Sequence, residues 1–344
     1  MLEKIILLLD YKSTFSSKFN STPPYSGLFL KDFISEMKKF SYDVVPLHFF
    51  EIDFENPQSY ASKKILFQSS EANDTYSEYK SYIDDVVYYL QMAGAQLIPD
   101  YKYFKAHSNK NFMEMLRGFT LDENKPETRN YGSLEDFHLD KRKINFPVVI
   151  KKSHGAQSKG VFMAANEKEL LNTVENITAS SYTFKELLKE KLRKLKYKKS
   201  YIPFSINRNK FIIQTFISGL TGDYKVIIFN DIFYLVKRGN RPNDFRASGG
   251  GLNTFTGDFD IPEGMLDYAY GIFKDFKCPY ISLDIGLNNQ GFNLIEFQFL
   301  SFGSAAHCKS RVYIKKIENE YAVLENNLSL EYLYSYSINA YLKQ

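Results

Sequence analysis

The sequence predicts an α/β protein: a small parallel α/β lobe at the N-terminus, followed by a region of paired strands and single helices. Three observations carry this. Residues 1–104 alternate short apolar runs with segments of helical spacing, the pattern of a parallel sheet with crossover helices. From about residue 146 the pattern changes to paired strands with glycine or asparagine between them, interrupted by single helices. The length of 344 residues, 44% of them hydrophobic, suits two or three packed lobes at ~100–200 residues each.

The elements follow in order. Lys4–Leu9 reads as a buried strand. Gly27–Phe40 carries Leu28, Phe29, Phe33, Ile34 and Met37 at helical spacing, and Tyr42–His48 and Lys64–Gln68 read as short strands. Tyr79–Ala93 is an amphipathic helix and Ser108–Leu116 begins another. Thr120–Lys143 is polar and turn-rich and reads as a loop or excursion. Phe146–Lys151 and Gly160–Ala165 are strands around a glycine-containing loop, and Glu167–Ile177 is a helix. Strands are expected at Phe211–Ile217, Asp223–Phe229 and Ile232–Lys237, and a helix at Pro262–Phe276. Ile281–Gly286 and Phe292–Gln298 form a hairpin around the turn residues Asn288–Gly291. The tail, Val312–Leu342, is expected to be helical. There is no internal repeat.

Composition closes off several classes. The 30 Phe and 26 Tyr supply enough core to exclude disorder over most of the chain. With 18 Gly and 11 Pro, collagen-like and low-complexity classes are out. No apolar run reaches the ~18–20 residues that span a bilayer, and Ile5–Leu9 is too short for a signal peptide. Two cysteines, Cys278 and Cys308, make neither a disulfide framework nor a four-cysteine zinc site, and a cytoplasmic location is expected. The net charge of +4 gives no ground for DNA as a partner. It is uneven, however: Lys185–Lys199 holds eight Lys/Arg against two Glu, a local +6, so the rest of the chain carries about −2.

Three features can carry chemistry. In Lys151-Lys152-Ser153-His154-Gly155-Ala156-Gln157-Ser158-Lys159-Gly160-Val161, a strand ends in lysine and two glycines bracket a short loop. Small residues let backbone N–H groups approach phosphate oxygens, and lysine neutralises them. It is not a Walker A loop, because no Gly-Lys-Ser/Thr opens a helix; an ordinary hairpin loop is the plain alternative. The second feature is the pair Asp284 and Glu296, with Gln298. The hairpin puts the two carboxylates opposite one another, with Gln298 on the face of Glu296. A hard divalent cation resolves such like-charge crowding; two solvated acids on an exposed face are the alternative. The third is Asp244-Phe245-Arg246 before Gly249, Gly250 and Gly251, with Lys237 and Arg238 upstream. A guanidinium fork beside a close-approaching backbone suits an anionic intermediate; a flexible loop is the alternative.

In this order the three features resemble an ATP-grasp protein, over about residues 105–305. Phe146–Lys151 with Gly155, Gly160 and Val161 resembles the family's central lysine and phosphate loop. Ile213–Ile217, then Gly222–Val226, resembles the adenine hinge and the ribose-contacting strand. Asp284, Glu296 and Gln298 resemble the magnesium-ligand set, and Ser108-Asn109-Lys110 the first nucleotide-binding lysine. Asp244-Phe245-Arg246 is similar to the branch that adds glutamate to a ribosomal-protein tail. The chain departs from the pattern in Gln298, where Asn is usual, in Thr215, where an acid is common, and in lacking Asn-Pro after Glu296.

The resemblance implies two α+β grasp lobes gripping ATP, at 105–217 (with the basic insertion 185–199) and 218–344 (with the metal site and C-terminal helices), after a small parallel α/β pre-grasp domain at 1–104. It implies that Lys110 and Lys151 hold phosphates and that Gly155, Gln157, Ser158, Lys159 and Gly160 close over them. Gln214, Thr215, Phe216 and Ile217 would read adenine, with Asp223 at the ribose and Lys225 beside it. Mg²⁺, or Mn²⁺ in its place, would sit on Asp284, Glu296 and Gln298. Arg246 would steady the acyl phosphate, with Lys237 as a further phosphate contact. The cysteines and histidines are not expected to be catalytic; His154, beside the phosphate loop, is the one histidine placed for a role, with a plain loop histidine as the alternative.

The implied reaction joins a carboxylate to an amine, at least one of them anionic, with ADP released. The acid and the amine are not identified by the sequence; a small molecule, a peptide, and a polysaccharide or sugar-nucleotide precursor stand as the open substrate classes. A kinase-like enzyme or a non-catalytic nucleotide-binding module are the alternatives, and a homodimer is an open expectation. The basic segment 185–199 reads as a solvated amphipathic helix or a contact for an anionic substrate, with membrane-surface contact as a further option. Tyr11–Ser26 and Gln68–Tyr79 are candidate linings of the acceptor pocket.

Overall fold

The computed structural model describes residues 2–15, 28–68, 77–123, 125–155, 160–180, 184–240, 244, 246 and 251–344. Most of both proposed acceptor segments, 11–26 and 68–79, lies outside them.

The chain opens with β1 (Glu3–Leu9), α1 (Leu30–Lys39), β2 (Tyr42–His48), β3 (Lys64–Leu66), α2 (Ser77–Met92) and β4 (Gln96–Ile98). These strands form a parallel sheet in the order β2-β1-β3-β4, as the strand–helix alternation predicts. Two helices follow, α3 (Tyr101–Ala106) and α4 (Lys110–Thr120). The sequence reading passed over α3, although Asp100 caps it by accepting from the Lys102 N–H at 3.2 Å.

The stretch expected as a loop or excursion, Thr120–Lys143, holds β5 (Thr128–Tyr131) and α5 (Leu134–Leu139). Arg129 fixes it, donating to the Arg142 carbonyl at 2.8 Å and to the Lys143 carbonyl. Ser133 caps α5 through the Asp136 N–H. Then come β6 (Val148–Lys152), β7 (Val161–Ala164), α6 (Glu167–Thr178), α7 (Phe184–Tyr197) and β8 (Phe211–Thr215). The antiparallel sheet runs β5-β8-β6-β7. One face, with Val148, Ile150, Ala164, Phe211 and Ile213, packs on Leu170, Val174 and Ile177 of α6.

The remainder is β9 (Gly222–Phe229), β10 (Ile232–Gly239), β11 (Asn253–Phe255), α8 (Met265–Phe276), β12 (Tyr280–Asn288), β13 (Gly291–Gln298), α9 (Ala305–Lys309), β14 (Val312–Ile317), β15 (Glu320–Glu325) and α10 (Leu330–Leu342). Its sheet runs β13-β12-β9-β10-β14-β15, with β11 also on β10. The expectation of a helical tail is corrected here: only Leu330–Leu342 is helical. Val312–Ile317 and Glu320–Glu325 are a hairpin, turned through Glu318 at φ 54°. The hairpin forms because Ile232 and Phe233 of β10 offer β14 an edge to pair with.

Contacts divide the chain into two units: Met1–His107, Leu116–Asn124 and Ser218–Gln344 in one, Ser108–Met115 and Lys125–Ile217 in the other. In the first, α1, α10 and the parallel sheet pack with Ile227, Phe229, Ile232 and Tyr234 of the large sheet. Among the described residues, no helix is long and apolar enough to cross a membrane.

Candidate functional site

In the larger unit, strand register decides which side chains meet. Asp284 lies opposite Glu296 across β12 and β13, and Ser282 lies opposite Gln298. On the other side, Asp284 pairs with Lys225 of β9, and Asp223 pairs with Arg238 of β10. Residues opposite in register share a face and alternate along a strand. Asp223, Lys225, Arg238, Asp284, Glu296 and Gln298 therefore occupy one end of one sheet face. The other end of that face is the apolar core around Ile227 and Tyr234.

The charges on this face are linked. Arg238 reaches Asp223 at 2.5 Å and Asp284 at 2.7 Å, and Lys225 lies 3.6 Å from Asp284. Burial pushes the Asp223 carboxyl up to about 6; Arg238 pulls against that and the Asp284 charge adds to it. Burial opposes the charge on Arg238, but the carboxylates of Asp284 and Asp223 outweigh it and hold the guanidinium above its ordinary range. Gly222 makes the close approach possible, because a Cβ there would stand 2.3 Å from the Arg238 carbonyl oxygen.

The sequence names Arg238 beside Lys237 but points to a role only for Lys237. Lys237 is exposed, pairs with Tyr224 and Thr254, and faces the other side of the sheet. The structure does not bring it together with Asp284. A second unforeseen residue is Arg117, which is 1% exposed. It donates to the Leu294 carbonyl at 2.5 Å and the Ile295 carbonyl at 2.9 Å, with its guanidinium over the Phe297 ring. The register shifts just there: Asp284 opposes Glu296, yet Ile285 opposes Leu294. Ile295 is the extra residue of a β-bulge, and Arg117 clamps it one residue before Glu296.

Arg246 is held by Asp244: Nε reaches both carboxylate oxygens, at 2.9 and 3.0 Å, and a terminal nitrogen reaches one at 2.7 Å. The hydrogen bonds to Asp244, more than its charge, raise the Arg246 pKa. Phe245, Gly249 and Gly250 of this stretch lie outside the described residues.

In the smaller unit, Lys151, one residue before the end of β6, lies on the face away from α6, together with Gln214. Lys151 and Lys110 are both buried. Lys110 opens α4, and its N–H donates to the Ser153 carbonyl at 2.9 Å. Asn109 Oδ1 accepts from Ser153 Oγ at 3.1 Å and from Lys210 Nζ at 3.0 Å, and Ser153 N–H donates to the Lys210 carbonyl. The start of α4, the end of β6 and the chain entering β8 thus meet, bringing Lys110 and Lys210 to one junction with Lys151 two residues away. A helix N-terminus beside lysines favours an anion. His154 completes the junction, Nδ1 lying 2.6 Å from the Ser108 carbonyl.

Gly155, at φ +136°, and Gly160 bracket the loop; Gln157, Ser158 and Lys159 lie outside the described residues. At the end of β8, the N–H of Thr215 donates to the Glu127 carbonyl and that of Phe216 to the Pro147 carbonyl. Those two groups are engaged within the unit, while Ile217 is half-buried at its end. A small depression beside this strand end is lined by Glu127, Arg129, Asn145, Val148, Gln214 and Thr215.

Comparison with known proteins now adds to this geometry. Residues 123–253 match the family model of the RimK-like ATP-grasp domain. Among solved structures, the D-cycloserine synthetase DcsG aligns over 98% of this chain and 99% of its own, at 11% identity and a TM-score of 0.52. The VanG D-Ala:D-Ser ligase from Enterococcus faecalis aligns over 99% of this chain and 100% of its own, at 12% identity and a TM-score of 0.51. The chain has the ATP-grasp fold. No curated protein matches the sequence. The ATP-grasp fold is the one the ordered motifs implied, and the RimK-like match spans the glycine loop, β8 and Arg246.

The donors on this face suit a divalent cation. Two carboxylates and an amide oxygen are hard ligands of the kind Mg²⁺ takes. Ser282, opposite Gln298, is buried, and its Oγ has no hydrogen-bond partner among the described residues. Such an orphaned oxygen beside the set fits a polar occupant.

Proposed function

We propose that this chain is an ATP-dependent ligase that joins a carboxylate to an amine through an acyl phosphate. The observation that carries the reading is the register of β12 and β13. It sets Asp284 against Glu296, with Gln298 on the same face as Lys225 and Arg238. The lysine junction of the smaller unit and the RimK-like match over residues 123–253 support it.

Each residue has a distinct task. Lys110 and Lys151 neutralise ATP phosphates, with the α4 N-terminus behind them, and Gly155 and Gly160 let the loop backbone close on the same oxygens. Gln157, Ser158 and Lys159 belong to that loop. The strand end Gln214–Ile217 binds adenine, and Asp223 and Lys225 serve the ribose side of the nucleotide. Asp284, Glu296 and Gln298 would hold Mg²⁺, which when bound supplies charge neutralisation at the phosphates. Arg238 keeps Asp284 and Asp223 in place, and Lys237 remains a candidate for a further phosphate contact. Arg246, oriented by Asp244, faces the developing negative charge of the carbonyl carbon's substituents.

The reaction needs no protein nucleophile. A substrate carboxylate oxygen attacks the γ-phosphorus and ADP leaves. The amine then attacks the acyl carbon, phosphate departs with one carboxylate oxygen, and the amine gives up a proton. Positioning and exclusion of water supply the acceleration. The proposed site of action is the cytoplasm.

The test is ADP formation with Mg²⁺ against a panel of acids and amines. The reading expects turnover only with both, abolished by Arg246→Ala and by Glu296→Ala. Full turnover with the acid alone would make the chain a kinase-like enzyme instead.

A further inference from the structure

Helix α7 contributes nothing to the core of the unit that carries it: none of its 14 residues is buried. Phe184, Leu188, Leu192 and Leu195 recur at the spacing that puts them on one stripe. They are 80%, 47%, 56% and 74% exposed, respectively. Leu187 flanks the stripe, and the following chain adds exposed Ile202, Phe204 and Ile206. One border of the stripe is basic, with Lys185, Lys189, Arg193 and Lys196. Lys191 falls within the stripe and is exposed; a lysine there lays its stem along apolar surface and keeps its ammonium in water. The acidic side is braced internally: Glu190 accepts from Arg193 at 2.8 Å and from the Tyr201 hydroxyl. A helix serving only as a solvated face has no use for this stripe, and a contiguous exposed apolar patch marks a docking surface.

We propose that α7 and the apolar chain after it dock this protein on an anionic lipid bilayer. The occupant follows from both halves of the surface at once. An acidic polypeptide would satisfy the lysines and leave the leucines in water. A second copy would cover the leucines but bring two clusters of eight cations together. The bilayer interface takes both: the stripe enters at headgroup depth, and anionic headgroups meet the basic border. The inference stands apart from the ligase reading, since it uses no residue of the nucleotide site. For a ligase, it would bring the reaction to a membrane-bound acceptor.

The chain has no tryptophan, so Leu195→Trp gives an emission that reports on α7 alone. The full-length variant is mixed with phosphatidylcholine vesicles, with and without phosphatidylserine. The expected result is a blue shift and co-sedimentation, about tenfold or more tighter with phosphatidylserine, weakened at high salt. Leu188→Glu with Leu192→Glu should abolish binding without changing thermal melting. Lys185→Glu with Lys189→Glu should remove most of the phosphatidylserine preference. Absence of binding to phosphatidylserine vesicles overturns the proposal. So does a blue shift with polyglutamate but not with vesicles, or one that follows self-association alone.

Discussion

Replacing Arg117 by methionine tests the chain of reasoning from packing to register to site. Methionine keeps much of the apolar volume but removes the guanidinium. Two carbonyls of the bulge, those of Leu294 and Ile295, then lose charged donors now at 2.5 and 2.9 Å. Each hydrogen bond to a charged group contributes ~1.5–3 kcal/mol, and a buried carbonyl left unpaired costs a similar amount. The site is dry, with Arg117 1% exposed, so water does not replace the donors. The expected destabilisation is therefore about 3–5 kcal/mol, read by urea denaturation with tyrosine emission and circular dichroism. Arg117→Lys offers a point donor in place of a fork and should recover about half of it. The positioning role predicts more than lost stability: nucleotide binding by folded Arg117→Met should need higher Mg²⁺, because Glu296 follows the bulge. A loss under ~1 kcal/mol, or unchanged Mg²⁺ dependence, refutes the reasoning.

Arg238→Met should cost about 3–5 kcal/mol, because it removes the guanidinium from buried Asp223 and one of the cations from Asp284, and adding Asp223→Asn should restore part of that in a double-mutant cycle; no recovery would show that the three are not coupled. Burial holds His307 below its usual pKa, against the hydrogen bond from Nε2 to the Leu328 carbonyl. The unfolded chain then binds the proton more tightly, so this contribution to stability is present above pH ~6.5 and falls away below it. His307→Gln should flatten that acid limb in denaturation midpoints; a limb unchanged by the substitution contradicts the assignment. Cys308 is exposed and Cys278 is buried, its thiol pushed up by burial. One thiol should react with a disulfide reagent in the native protein and both after denaturation, and two fast native thiols would contradict the burial.

The elements most legible in the sequence were those whose signal is local. The apolar run of β1 and the helical spacing of α1 and α2 gave the parallel lobe. Asn288–Gly291 with flanking apolar runs gave the hairpin and the pairing of Asp284 with Glu296. Where signals were long-range, reading failed. Val312–Glu325 pairs through β14 with β10, about eighty residues earlier, and turns at Glu318 and Asn319 without glycine, so its apolar positions passed for a helix. Choosing between Lys237 and Arg238 needed the register of β9 on β10, which the sequence does not state. Arg117 was invisible for another reason: its partners are backbone carbonyls 177 and 178 residues away, which leave no side-chain signature. Ser133 and Asp100 were readable caps that polarity masked.

The central claim is that an acyl phosphate forms on the substrate carboxylate. Oxygen transfer tests it most directly. An acid labelled with heavy oxygen in its carboxylate is turned over with ATP and amine, and the released phosphate is analysed by mass. The account predicts one labelled oxygen in each phosphate, with ADP as the nucleotide product. Unlabelled phosphate, or label appearing in AMP, would contradict it.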